Sequence, residues 1–226
     1  MSPVPAPTHL PPLPTMDLTT AIETRRSVKH FDPDHAITDE ELLHLVRLGV
    51  HAPTSFNMQN WQFVAVREAE GKAALCAAAF NQSQVRDASL VIVLCGNLHA
   101  HADTSRYLRN APEELQQMFT GMIHGFYGDN DRLARDEACR SVGFAGQNLM
   151  LAAREMGLDS CPMIGYDPAK VSEAVGLPEH CPPLLMLAIG KALKPANPRM
   201  GLLDYHEVLS VERYDARPFD GEVPHV

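Results

Sequence analysis

Arg25, Arg26, Ser27 and Lys29 form one polar cluster in this chain, and Asn57 and Gln59 form a second. A guanidinium binds phosphate oxygens through two parallel N–H donors, so adjacent arginines followed by a hydroxyl and an ammonium suit a phosphate monoester. Amides two residues apart present donors and acceptors together, the mixture required along the C=O and N–H edge of a heteroaromatic ring. Each cluster alone has a plainer reading. Cations at a helix end complement its macrodipole, and amides after a helix can simply close a turn. Their placement on either side of one helix favours a phosphorylated, ring-bearing cofactor. Trp61 reads as packing that supports the amide loop.

The elements that must position these groups are legible from periodicity and caps. A short helix over residues 17–24 delivers Arg25 and Ser27 at its exit. Thr38 and Glu41 make a capping box, and Leu42, Leu45, Val46, Gly49 and Val50 follow at helical spacing, which predicts a helix over residues 38–51 that Pro53 ends. Strands are expected over residues 61–66, 89–95, 159–164 and 184–189. The second of these is apolar without alternation, as a strand covered on both faces requires. Helices are expected over 70–80 and, capped by Asp167, over 168–175. Residues 104–119 read as helical with an interruption at Pro112, and 121–128 as a glycine- and aromatic-containing loop able to act as a lid. Residues 131–156 give the longest helix, whose middle from Ser141 to Asn148 is small and apolar nearly all round, as at a dimer centre. Residues 210–214 read as an edge strand.

The heptapeptide Arg25-Arg26-Ser27-Val28-Lys29-His30-Phe31 and the decapeptide Ala52-Pro53-Thr54-Ser55-Phe56-Asn57-Met58-Gln59-Asn60-Trp61 resemble the two motifs of the FMN-dependent nitroreductase family, R-[RH]-S-x-[RK]-x-[FY] and A-P-S-x-x-N-x-Q-P-W. The resemblance runs over about residues 17–212. Thr54 stands where the family has serine, keeping the hydroxyl, and Asn60 replaces the proline before the tryptophan.

This resemblance implies an α+β fold, three α/β/α layers around a mostly antiparallel sheet, in an intertwined homodimer whose C-terminal arm is exchanged. It implies FMN, with Arg25, Arg26, Ser27 and Arg199 at the phosphate and ribityl end and Lys29 beside flavin N1/O2. Asn57 would hydrogen-bond the pyrimidine edge or a ribityl oxygen, Gln59 would be aimed at the ring with it, and the turn of Pro162, Ile164 and Gly165 would lie near N5. Asn197 replaces one member of the family's basic pair in the loop that carries Arg199. The implied activity is hydride transfer from NADH or NADPH through flavin N5 to a small electron-poor acceptor, such as a nitroaromatic or quinone, in ping-pong order. A flavin-binding carrier is the alternative, as is a specialised activity such as dehalogenation, flavin fragmentation or biosynthetic dehydrogenation. Catalysis needs no acid–base side chain here, because the cofactor carries the chemistry.

The chain has 226 residues, 45% of them hydrophobic, long enough to bury a full core. The reading is a proline-rich arm over residues 1–16, extended or disordered, and one FMN-binding domain over 17–226. Net charge of −9 argues against nucleic acid as a partner. Five cysteines, odd in number and without C-x-x-C spacing, fit reduced thiols in a cytoplasmic protein, and no apolar run has the length of a membrane span. His99 and His101 alternate as on a strand, but lack a third ligand nearby, so no metal is expected. Dinucleotide-fold, P-loop, zinc-protease and serine-hydrolase signatures are absent from the sequence.

Overall fold

The computed structural model describes residues 16–214. All of the proline-rich arm before Met16, and the polar tail from residue 215, lie outside the described residues. Strands β1 (Trp61–Val66), β2 (Leu90–Gly96), β3 (Asp159–Met163) and β4 (Pro183–Gly190) form one sheet in the order β1-β2-β4-β3, and each neighbouring pair is antiparallel. The strands expected over residues 61–66, 89–95, 159–164 and 184–189 are thus present, shifted by no more than a residue at their ends.

Every residue of β2 is buried, and its side chains divide by the two-residue period of a strand. Val91, Val93 and Cys95 join the core beneath α3 (Ala69–Ala78), α4 (Ser83–Asp87) and α8 (Pro168–Val175). Leu90, Ile92 and Leu94 pack on the opposite side against α2 (Asp39–Gly49) and α7 (Asp131–Glu155). Helices on both faces make three layers, and burial of each large side chain stabilises by roughly 1.5–3 kcal/mol. The five free cysteines include Cys95 and Cys181, both buried in this core, and the Cys95 thiol donates to the Val93 carbonyl at 3.7 Å.

The cap of α2 forms in both directions: the Glu41 N–H donates to Thr38 Oγ1 (3.2 Å) and the Thr38 N–H to Glu41 Oε2 (2.8 Å). Its last residue, Gly49, lies where a Cβ would come 2.9 Å from Leu149 Cδ2, so the glycine sets how closely α2 and α7 approach. A Cβ on Gly146 would meet Leu185 Cδ2 at 2.6 Å, which ties the middle of α7 to the sheet of its own chain.

Four expectations are corrected. The middle of α7 is not buried all round: Ala138, Ser141, Val142, Ala145, Gly146 and Leu149 face the core, whereas Gly143 and Gln147 are exposed and Phe144 is 52% exposed. Residues 121–128 are not a loop, since α6 (Glu113–Tyr127) runs through Gly121 and Gly125 and ends at its cap, Gly128. Glycine costs about 1 kcal/mol each in a helix, but Ile123 and Tyr127, four residues apart, bury together against Leu108, Met58 and Ala134 and offset it. Residues 210–214 form no strand; Ser210 is a single bridge residue after the short helix α9 (Tyr205–Val208). The histidines are not on a strand either. His99 and His101 lie at a 3-10 turn after β2, where His99 stacks on His180 with ring centroids 5.0 Å apart. Burial, then His99 and His124, lower the pKa of His101.

Candidate functional site

The first cluster sits at one corner of the sheet. Helix α1 (Leu18–Thr24) ends at Arg25, and the chain then runs extended beside β3: Ser27 bridges Ser160 in parallel, and the Val28 N–H donates to the Ser160 carbonyl at 3.0 Å. Further on, Phe31 bridges Ala192 beyond the end of β4. Val28 and Phe31 are buried, and they fix the segment while Ser27 and Lys29 remain exposed. Arg154 fastens the same corner, donating from Nη1 to Asp159 Oδ1 (2.7 Å) and from Nη2 to Thr24 Oγ1 (3.2 Å). No motif marked Arg154, because its role depends on two partners distant in sequence or across a turn.

Around Arg25 the charges are one-sided. Burial, followed by the neighbouring guanidinium groups of Arg199 and Arg26, pushes its pKa below the usual arginine value. Its Nη1 is buried with no hydrogen-bond partner, as is Ser160 Oγ on the adjoining strand. Arg26 turns back on α1, with Nη1 donating to the carbonyls of Glu23 (2.5 Å) and Arg25 (3.0 Å). Burial raises the pKa of the Cys161 thiol, while the positive charges of Lys29 and then Arg25 act in the other direction. Downstream on the same edge come Pro162, Ile164, which is 80% exposed, and Gly165, whose carbonyl accepts from Gln82 Nε2 at 2.8 Å. Arg25, Arg26, Ser27, Lys29, Pro162, Ile164, Gly165 and Arg199 are therefore gathered along one edge.

Asn57 and Gln59 are elsewhere. They lie in the turn between α2 and β1, where Phe56 (φ 50°), Asn57 (φ 56°) and Gln59 (φ 45°) all have left-handed backbone. Such residues cost about 1–3 kcal/mol each and persist only where surrounding contacts hold them. Those contacts are visible: the Gln59 N–H donates to Thr54 Oγ1 (3.1 Å), the Ser55 N–H to Glu137 Oε1 (3.1 Å), and the Tyr127 hydroxyl to Ser55 Oγ (2.9 Å). Thr54 thus uses the hydroxyl it shares with serine. Asn60, in the proline position, is buried and extends the β-ladder, its carbonyl accepting from the Asn97 N–H at 3.0 Å. Its Oδ1 is buried without a partner. Asn57 Nδ2 donates to the Tyr107 carbonyl at 3.2 Å, binding the turn to α5 (Ser105–Leu108). Between them opens a cavity of about 290 Å³ lined by Asn57, Gln59, Arg106, Tyr107, Arg109 and Asn110. Glu137, Tyr127 and Arg106 escape motif reading, since only the tertiary fold brings them to this turn.

The two clusters occupy opposite corners. Ser160, beside Ser27, is level with Ile189 and so with Leu90, whereas Trp61, after the amides, is level with Gly96. At ~3.3 Å per residue and ~4.8 Å per strand, the corners are separated by ~20 Å along the strands and ~19 Å across them. A single chain does not bring both onto one ring.

A model of the nitroreductase family matches residues 22–191. The chain belongs to the nitroreductase family. Protein DrgA of Synechocystis sp. is 49% identical to it over 182 residues, 80% of this chain and 87% of its own. The NADH dehydrogenase of Thermus thermophilus is 30% identical over 195 residues, 82% of this chain and 92% of its own. A solved structure from Exiguobacterium sibiricum, in complex with FMN, superposes with a TM-score of 0.75 at 31% identity, covering 83% of this chain and 94% of that one. The nitroreductase fold accounts for the antiparallel sheet with helices on both faces. Among the described residues, no helix is long and apolar enough to cross a membrane. Asp204, His206 and Glu207 lie close together at α9, where the two carboxylates serve as a capping box.

Proposed function

We propose that this nitroreductase is an FMN-dependent oxidoreductase that takes hydride from NADH or NADPH and delivers it to a small electron-poor acceptor such as a nitroaromatic or quinone. The observation that carries the reading is Arg25, with Nη1 buried and unpaired among other guanidinium groups. Buried donors without partners cost free energy, and a phosphate would satisfy them and neutralise the charge at once. The donor set fits FMN.

Arg25, Ser27 and Arg199 would bind the phosphate and ribityl oxygens, with Arg26 stabilising the end of α1 while adding positive charge. Lys29 would hold its ammonium toward flavin N1/O2. Pro162 fixes the backbone that leads to Ile164 and Gly165, and the main chain of this turn would face N5. Bound FMN supplies hydride acceptance and donation. Asn57 and Gln59 would orient the pyrimidine edge, but from a second copy, because the corners of one chain are too far apart to share a ring. A two-fold axis brings the amide corner of one protomer to the guanidinium corner of its partner. Exposed Leu43 (67%), Phe144 (52%), Leu18 (66%) and Ile22 (51%) offer apolar surface for that homodimer.

The visible spectrum of the purified protein, before and after anaerobic NADH or NADPH, tests the reading. A yellow protein that bleaches and then recovers its colour on addition of a quinone supports it. Flavin that stays oxidised with both donors marks a carrier, and failure to bind added FMN rejects the cofactor.

A further inference from the structure

We propose that Arg106 and Arg109 form an anion subsite beside the amide turn, taking an oxyanion carried by the small molecule that meets the flavin. The inference rests on the function proposed above, and extends it to a class of substrate group that neither motif addresses.

Both arginines line the cavity shared with Asn57, Gln59 and Asn110. They are three residues apart on and just after α5, so they project to the same side of the turn. Elsewhere Arg67, Arg86, Arg132, Arg140 and Arg154 each have a carboxylate partner, and Arg47 and Arg135 bond instead to His44 and the Cys139 thiol. Arg106 and Arg109 have neither an ion-pair nor a hydrogen-bond partner among the described residues. The nearby Asp103 carboxylate accepts from the Ser105 hydroxyl at 2.6 Å. Two free cations at one cavity are notable in a chain of 19 basic and 28 acidic residues, where carboxylates are plentiful.

Position matters as much as charge. The Asn57 to Tyr107 hydrogen bond ties the arginine-bearing turn to the amides, fixing the subsite relative to whatever the amides hold. Paired guanidinium groups recognise carboxylate, sulfonate or phosphate oxygens through forked donors. They also counter the field of a protein with net charge −9, which repels anionic substrates. Two sources share this chemistry: the phosphates of the nicotinamide donor, and an acidic group on the acceptor.

Arg106→Gln, Arg109→Gln and the double variant separate them. Flavin content from the visible spectrum is recorded first, because its loss in all proteins including the wild type would reject FMN binding rather than the subsite. kcat/KM is then compared within pairs: NADPH against NADH, and 4-nitrobenzoate against 4-nitrobenzamide. A loss of about tenfold or more confined to NADPH assigns the 2′-phosphate; an equal loss for both donors assigns the pyrophosphate; a loss confined to nitrobenzoate assigns an acidic acceptor. Calorimetric titration with inorganic pyrophosphate gives a readout independent of turnover and of flavin. The expected result is binding to the wild type that the double variant weakens by about tenfold. Unchanged kcat/KM for both donors and both acceptors, with unchanged pyrophosphate binding, overturns the proposal.

Discussion

Ser27 and Ser160 pair in parallel across the edge of the sheet, with the Val28 N–H donating to the Ser160 carbonyl at 3.0 Å. This one bridge sets the register that carries Arg25 and Lys29 along β3, and hence which atoms of the edge can act together.

Arg25→Ala separates binding from stability. Loss of a charge-assisted phosphate contact, worth roughly 1.5–3 kcal/mol, should weaken FMN binding about tenfold or more. The flavin-free protein should unfold at the same temperature or higher, since the variant removes an unpaired buried donor and relieves repulsion from Arg199 and Arg26. Equal FMN affinity in fluorescence titration would remove Arg25 from the site.

Lys29→Met addresses reduction. An ammonium at N1/O2 favours the negative charge gained on reduction, and for a two-electron couple ~30 mV corresponds to about 1.4 kcal/mol. The variant should retain FMN, lower the midpoint potential by tens of millivolts, and slow anaerobic reduction by NAD(P)H. An unchanged potential would deny Lys29 an electronic role at the flavin.

Phe144→Glu tests the outer face of α7. Phe144 is 52% exposed and Gly143 beside it has open space, so the chain should still fold. A carboxylate placed in an apolar interface should shift sedimentation toward monomer and reduce flavin content together. A flavin-loaded dimer of unchanged affinity would place the interface elsewhere.

Tyr166→Phe has a pH signature. Burial, with a smaller contribution from Cys95, raises the Tyr166 pKa from 10.0 to about 12. Between those values the unfolded chain has released the phenolic proton and the folded protein still holds it, so stability falls as pH rises, by about 1.4 kcal/mol per unit at most. Below pH 10 this group contributes no slope. The variant should show a shallower alkaline loss in urea titrations between pH 10 and 12, and the same slope as wild type would contradict the shift.

Both motifs, the strands and the capped helix α2 were legible because each depends on neighbours within a few residues. The capping box of Thr38 and Glu41 is complete in the sequence, and β2 declares its two covered faces by being apolar throughout. Tertiary packing decided the rest. The glycines at 121 and 125 argued for a loop until Ile123 and Tyr127 were seen buried under one helix. Gly146 suggested contact with another chain, but its close neighbour is Leu185 of its own sheet. Of the site, residue types were readable and separation was not: spacing along the chain does not reveal that Ser27 and Trp61 end at opposite corners. Glu137 and Arg154 were invisible for the same reason.

The diagonal separation of the guanidinium and amide corners has a genetic consequence. If each of two sites draws one corner from either protomer, an Arg25→Ala chain and an Asn57→Ala chain can be co-expressed and their mixed dimer isolated with two affinity tags. One site of that dimer then carries both lesions and the other carries neither. The mixed dimer should bind about one FMN per two chains at wild-type affinity, though both parent homodimers are impaired at every site.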